Sequence, residues 1–183
     1  NKSKFSLPVL PVEDYPELAN ENFNTSFEIE VESLRRLIDS TRFAISLEET
    51  RYYLNGIFFH QLDHNLLAVA TDGHRLARAS MPLPNGAELL KGVIVPRKAI
   101  NEIRKLIEDF DSDKVAKIFF SETRIKVELG KTAITSKLID GNFPDYSKVI
   151  PEQNHNIMLI DNQKFSESVD RVSTIFADKS RSV

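Results

Sequence analysis

Ala70-Thr71-Asp72-Gly73-His74-Arg75-Leu76-Ala77 sets an acid, a histidine and an arginine around one glycine, between two apolar runs. The runs on either side, Asn65 to Thr71 and His74 to Met81, read as strands. Asp72-Gly73 between them is a hairpin signal, because a type I′ turn needs positive φ at both central residues and this pair tolerates it. A chain that reverses so tightly builds antiparallel sheet. The competing reading is a hydrolase with an Asp72/His74 dyad, yet neither Gly-x-Ser-x-Gly nor His-Glu-x-x-His accompanies it. The expectation is a turn.

Working outward, Tyr52 to His60 reads as another strand, joined to Asn65–Thr71 by a polar turn through Gln61-Leu62-Asp63-His64. Phe27 to Val31 alternates with period two, and Val115 to Phe120, Arg124 to Leu129 and Thr132 to Leu138 add three more strands. Two amphipathic helices interrupt them. From Glu32 to about Ile45, Leu34, Leu37, Ile38, Thr41 and Ile45 form one stripe, with Arg35, Asp39 and Arg42 on another face. After Val93-Ile94-Val95, Pro96 suits the first turn of a helix that turns Ile100, Ile103, Leu106 and Ile107 inward and Arg97, Lys98, Arg104 and Lys105 outward. The fold class expected is α+β, two helices packed on one face of antiparallel sheet.

Composition excludes several functions. The 183 residues are 41% hydrophobic and 28% charged, enough for one full core and part of a second. Without cysteine there is no disulfide, thiol nucleophile or cysteine-ligated zinc, which suits the cytoplasm. No run approaches the ~18 apolar residues of a membrane span, and Asn1 to Phe5 lacks the apolar core of a signal peptide. Of six glycines none forms a phosphate-binding motif, and His60 and His64 face together only on a helix, so neither cofactor nor metal is expected. A net charge of -3 means that any nucleic-acid role rests on basic residues gathered on one surface.

The chain also repeats itself. Ser3-Lys4-Phe5 precedes Asp14-Tyr15-Pro16-Glu17, and about 130 residues later Ser136-Lys137-Leu138 precedes Asn142-Phe143-Pro144-Asp145. Each pair leads into a strand and a helix, the second being Ile157 to Ile160 and a helix of Phe165, Val169, Val172 and Phe176 capped by Asp161. The organisation expected is the tail of one domain and a linker at 1–23, a complete domain at 24–140, a linker at 141–156 and the start of a further domain at 157–183.

Arg51-Tyr52-Tyr53-Leu54-Asn55-Gly56, Val69 to Ala77, Val95-Pro96-Arg97-Lys98 and Ser136 to Tyr146 together resemble the middle domain of the bacterial DNA polymerase III beta subunit, the sliding clamp. The likeness runs the length of the chain. It implies a homodimeric ring of pseudo-repeated domains with the DNA clamp fold, helices lining a hole for duplex DNA, and a processivity factor without catalysis of its own. It further implies a groove for short partner peptides from polymerase, clamp loader and repair factors. The matching positions are Leu54, Thr71, Gly73, His74, Arg75, Leu76, Pro144, Lys148 and Val149, with Lys148 where many clamps carry arginine. DNA-facing residues would be Arg35, Arg42, Arg51, Tyr52, Tyr53, Arg97, Lys98, Lys105, Lys164 and Arg171. A stand-alone peptide-binding module, testable by order near Val183, is the other alternative.

Overall fold

Strand β1 (Thr25–Glu30) buries every second side chain and runs without a loop into helix α1 (Val31–Asp39), which buries Val31, Leu34, Leu37 and Ile38. The computed structural model to which they belong describes residues 5–14, 22–111, 114–151 and 154–174. Helix α1 ends at Asp39, short of the expected Ile45. The Thr41 hydroxyl donates to the Leu37 carbonyl (2.7 Å) and Ser40 N–H to that of Arg36 (3.0 Å), and the chain tightens into a 3₁₀ turn, Arg42–Ala44. Thr41 and Ile45 stay buried all the same. The expected apolar stripe is real, carried on two helical pieces.

The stretch expected as a strand from Tyr52 begins with a 3₁₀ segment, Glu49–Leu54, and extends only as β2 (Gly56–Leu62). It pairs with β3 (Asn65–Thr71), which pairs with β4 (Leu76–Pro82). The pairing of Leu62 with Asn65 leaves Asp63 and His64 as a two-residue turn with φ of 49° and 58°. This is where a turn with two positive φ values sits, not at Asp72-Gly73. There Thr71 pairs with Leu76, four residues intervene, and only Gly73 has positive φ (89°). The type I′ expectation at Asp72-Gly73, and the start of β4 at His74, are thereby corrected. The Asp72 carboxylate accepts the backbone N–H of His74 (2.9 Å) and Arg75 (3.0 Å), and this local alternative to ladder bonds widens the loop.

Strand β5 (Val93–Pro96) leads into α2 (Arg97–Leu106), with Pro96 as its last extended residue at the N-cap rather than within the first turn. A 3₁₀ turn, Ile107–Asp109, and strands β6 (Val115–Phe120), β7 (Arg124–Leu129) and β8 (Thr132–Lys137) follow. All pairings are antiparallel, and the strands divide into two four-stranded sheets, β1-β6-β7-β8 and β4-β3-β2-β5. An Ile94–Ile139 bridge ties β5 to the chain just beyond β8. Alternation along a strand names its wet and dry faces but not its neighbours, so the division was not readable beforehand. One core joins Ile118 and Val127 of the first sheet, Ile57 and Leu66 of the second, and Leu37 and Ile100 of the helices.

Residues 1–143 and 144–183 form two compact units. In the second, a 3₁₀ turn, Tyr146–Val149, precedes helix α3 (Asn162–Ser173), whose N-terminus is capped as expected by Asp161 accepting the Lys164 N–H (2.9 Å). The strand expected at 157–160 does not form among the described residues: these positions are exposed and pair with nothing, and a strand exists only through a partner. Ser3, Lys4, Tyr15 to Glu17, Phe176 and the end near Val183 lie outside the described residues. No described helix is long and apolar enough to cross a membrane.

Candidate functional site

The turn between β3 and β4 is held from within by two side chains. Thr71 Oγ1 receives the Gly73 N–H (3.1 Å) and donates to the Arg75 carbonyl (2.7 Å). Asp72 takes the two backbone N–H groups on Oδ1 and Arg75 Nε on Oδ2 (3.0 Å), so both oxygens serve the turn and neither engages the His74 ring. Burial pushes the Asp72 carboxyl up, and the N–H groups of Arg75 and His74 with the Arg75 guanidinium outweigh it, leaving it below the usual range. His74 and Arg75 are left exposed on the rim, with Leu76 half-buried beneath.

Thr71, Gly73, His74, Arg75 and Leu76 are thus brought together on one turn. Leu54 is buried at the end of its 3₁₀ segment, where its carbonyl accepts the Ser46 N–H (3.1 Å). Pro144, Lys148 and Val149 belong to the second unit. There Val149 is exposed and Lys148 pairs with Asp145 (3.0 Å). Residue-type reasoning missed Phe43, an exposed ring with the Arg75 guanidinium 5.8 Å from its centroid. It also missed Glu48, which holds Arg51 by two hydrogen bonds; the spacing of three was the available signal.

A second feature lies between α1 and α2. Asp39 of α1 accepts from Arg104 Nε of α2 (2.9 and 3.0 Å) and pairs with Arg42 (3.1 Å), pinning the helices to one another. Arg104, expected on the outer basic face, is only 17% exposed, its guanidinium pKa raised chiefly by the Asp39 bond. Beside this pin opens a basin of about 780 Å³ lined by Arg42, Tyr52, Arg97, Lys98 and Lys105, with Asn55, Arg104, Glu102 and Glu108 among the remainder. Five basic side chains on its wall face two acidic ones. Asn55 Oδ1 and Arg104 Nη1 are buried without a hydrogen-bond partner among the described residues, Nη1 lying 3.8 Å from Glu108 Oε2.

The other expected DNA-facing residues lie elsewhere. Arg35 donates to the carbonyls of Ile107 (3.1 Å) and Phe110 (3.3 Å) and to Glu32 (2.6 Å), bracing the end of α2. Arg51 turns to Glu48. Tyr53 is half-buried, edge-on to Tyr52 at 5.8 Å. Lys164 and Arg171 are exposed on α3, in the second unit.

The chain is 50% identical over 186 residues to the beta sliding clamp of Caulobacter vibrioides, covering 100% of this chain and 50% of that protein. To the beta sliding clamp of Rickettsia bellii it is 40% identical over 182 residues, 98% of this chain and 48% of the relative. The chain therefore spans about half the length of these curated relatives. Among solved structures, the C. crescentus beta sliding clamp superposes with a TM-score of 0.92 at 49% identity, over 99% of this chain and 49% of the other. A sliding clamp from Bartonella birtlesii bound to griselimycin gives 0.88 at 48% identity, over 94% and 47%. The family of the DNA polymerase III beta subunit, central domain, matches residues 28–145, a span that takes in the second half of β1, all the other strands of both sheets, α1, α2 and the Asp72–Arg75 turn. The chain belongs to the DNA polymerase III beta subunit family.

Proposed function

We propose that this chain is part of a DNA polymerase processivity factor, a sliding clamp that encircles duplex DNA and tethers the replicative polymerase, clamp loader and repair factors. The observation that carries the reading is the basin: Arg97, Lys98 and Lys105 of α2 and Arg42 of the 3₁₀ turn after α1 converge on one surface of an otherwise acidic chain. Cations so gathered attract phosphates of any sequence, which suits sliding rather than site recognition. Tyr52 on the same wall adds an aromatic face and a hydroxyl donor. Retention comes from closure of the ring, so no step of the reading requires bond-making chemistry.

In this reading the 24–140 segment is the middle domain, 1–23 and 157–183 belong to its neighbours, and 141–156 links them. The full-length protein forms a homodimeric ring in the cytoplasm. The Asp72–Arg75 turn, with Leu54 and Leu76, receives apolar anchors of partner peptides, and griselimycin, found bound to a relative, is the probe of that reading. A short peptide with few buried anchors binds at about micromolar strength, roughly -8 kcal/mol, which permits partners to exchange.

The test is retention on DNA. The full-length protein loaded on a closed circular duplex is expected to stay bound at salt that strips a linear duplex of the same sequence. Equal loss from both circles and linear DNA would end the topological reading, and failure of griselimycin to bind would remove the peptide site.

A further inference from the structure

Thr71 and Asp72 hold the β3–β4 turn from within, and Arg51 supports it from outside. Glu48 grips the Arg51 guanidinium through two parallel bonds, Nε to Oε2 at 2.8 Å and Nη2 to Oε1 at 2.6 Å. A fork of this kind fixes the plane of the guanidinium as well as its position. With Nε and Nη2 so engaged, Nη1 stands 2.5 Å from the place a Cβ on Gly73 would take. Gly73 has φ of +89°, a conformation other residues avoid, so the glycine admits both the backbone shape and the approach of Arg51. The neighbourhood is electrostatically continuous. The Glu48 carboxyl is held below its usual range, first by the Arg51 bond, with His74 also lowering it and Asp72 opposing.

We propose that Glu48 and Arg51 are a positioning pair for the peptide-binding turn. The bidentate grip lays the guanidinium edge against Gly73, fills the space a side chain would occupy, and fixes the aspect in which His74 and Arg75 meet a bound peptide. This rests on the assignment of the turn as a peptide site. Arg51 acts through Gly73, apart from the cationic basin that Arg42, Arg97, Lys98 and Lys105 form. Glu48 is 54% and Arg51 33% exposed at the side chain, so their pairing adds little to global stability. Its consequence is order in the turn, which a ligand otherwise has to impose on binding.

The experiment uses Glu48→Gln, Arg51→Lys and the double variant of the full-length protein, with griselimycin as the titrated probe and the Gly73 amide signal read in the free protein. Each single variant is expected to bind about fivefold more weakly, with an unchanged melting temperature and a displaced Gly73 amide. The double variant should be no weaker than either single, because one pair is broken once. Single variants within twofold of the unsubstituted protein, or losses that multiply in the double, overturn the pairing. Should the unsubstituted protein not bind griselimycin, the peptide-site assignment fails separately. The Gly73 amide then decides, and an unmoved signal in both single variants refutes the positioning role.

Discussion

Asp72 shows how a residue that resembles a catalytic acid is used up by backbone. Its two oxygens accept three donors within the turn, and carboxylates bonded in this way are poor proton acceptors. Asp72→Ala should free the His74 and Arg75 N–H groups and weaken griselimycin binding about tenfold, while the melting temperature falls only slightly; calorimetric titration and thermal melting separate the two. His60 offers a pH test at the same scale. Burial lowers its pKa below 6.5, Arg78 lowers it further, and the Gln61 carbonyl opposes. The unfolded chain therefore takes up this proton more readily than the folded one. Stability should fall as pH drops through 6.5 and level off below the folded value. In His60→Gln, denaturant midpoints followed from pH 8 to pH 5 are expected to vary less steeply. An equal slope in both proteins would show that other groups carry the dependence.

At the scale of elements, α1 and α2 are bound by apolar burial and by one polar pin. Leu37 is fully buried in the common core, so Leu37→Ala should cost about 2–5 kcal/mol in denaturant unfolding, the range for a truncation that leaves a cavity. Asp39→Asn acts differently. It removes the anion that pairs with both Arg104 and Arg42 and raises the net positive charge beside the basin. Stability should fall by about 1–3 kcal/mol because Arg104 is mostly enclosed. Affinity of the same variant for a short duplex at low salt should rise. A variant that loses stability and DNA affinity together would show that Asp39 shapes the basin more than it neutralises it.

For the whole molecule the decisive quantity is where charge lies, since the chain is acidic in total and basic in one concavity. Arg97→Ala and Lys98→Ala should each reduce the slope of log affinity against log salt by about 1, measured by anisotropy on two unrelated duplexes. The change should be the same on both sequences. A sequence-dependent loss would point to base contact instead.

Much was legible in the chain before any coordinates. Apolar spacing marks α1 from Leu34 to Ile38 and α2 from Ile100 to Ile103, and alternation marks β1, β6 and β7, because each signal is periodic and local. The Asp161 cap is local as well. Turn geometry was not: Asp63-His64 adopts the doubly positive φ pair without a glycine, and Asp72-Gly73 does not, because side-chain bonds and strand register decide between them. Tertiary structure alone separated the strands into two sheets, drew Arg104 under Asp39, tied Arg35 to the end of α2 and laid Arg51 against Gly73. A sequence displays which side chains are charged and which face of an element they share. Which partner a charge finds depends on residues distant along the chain, and only packing brings those within reach.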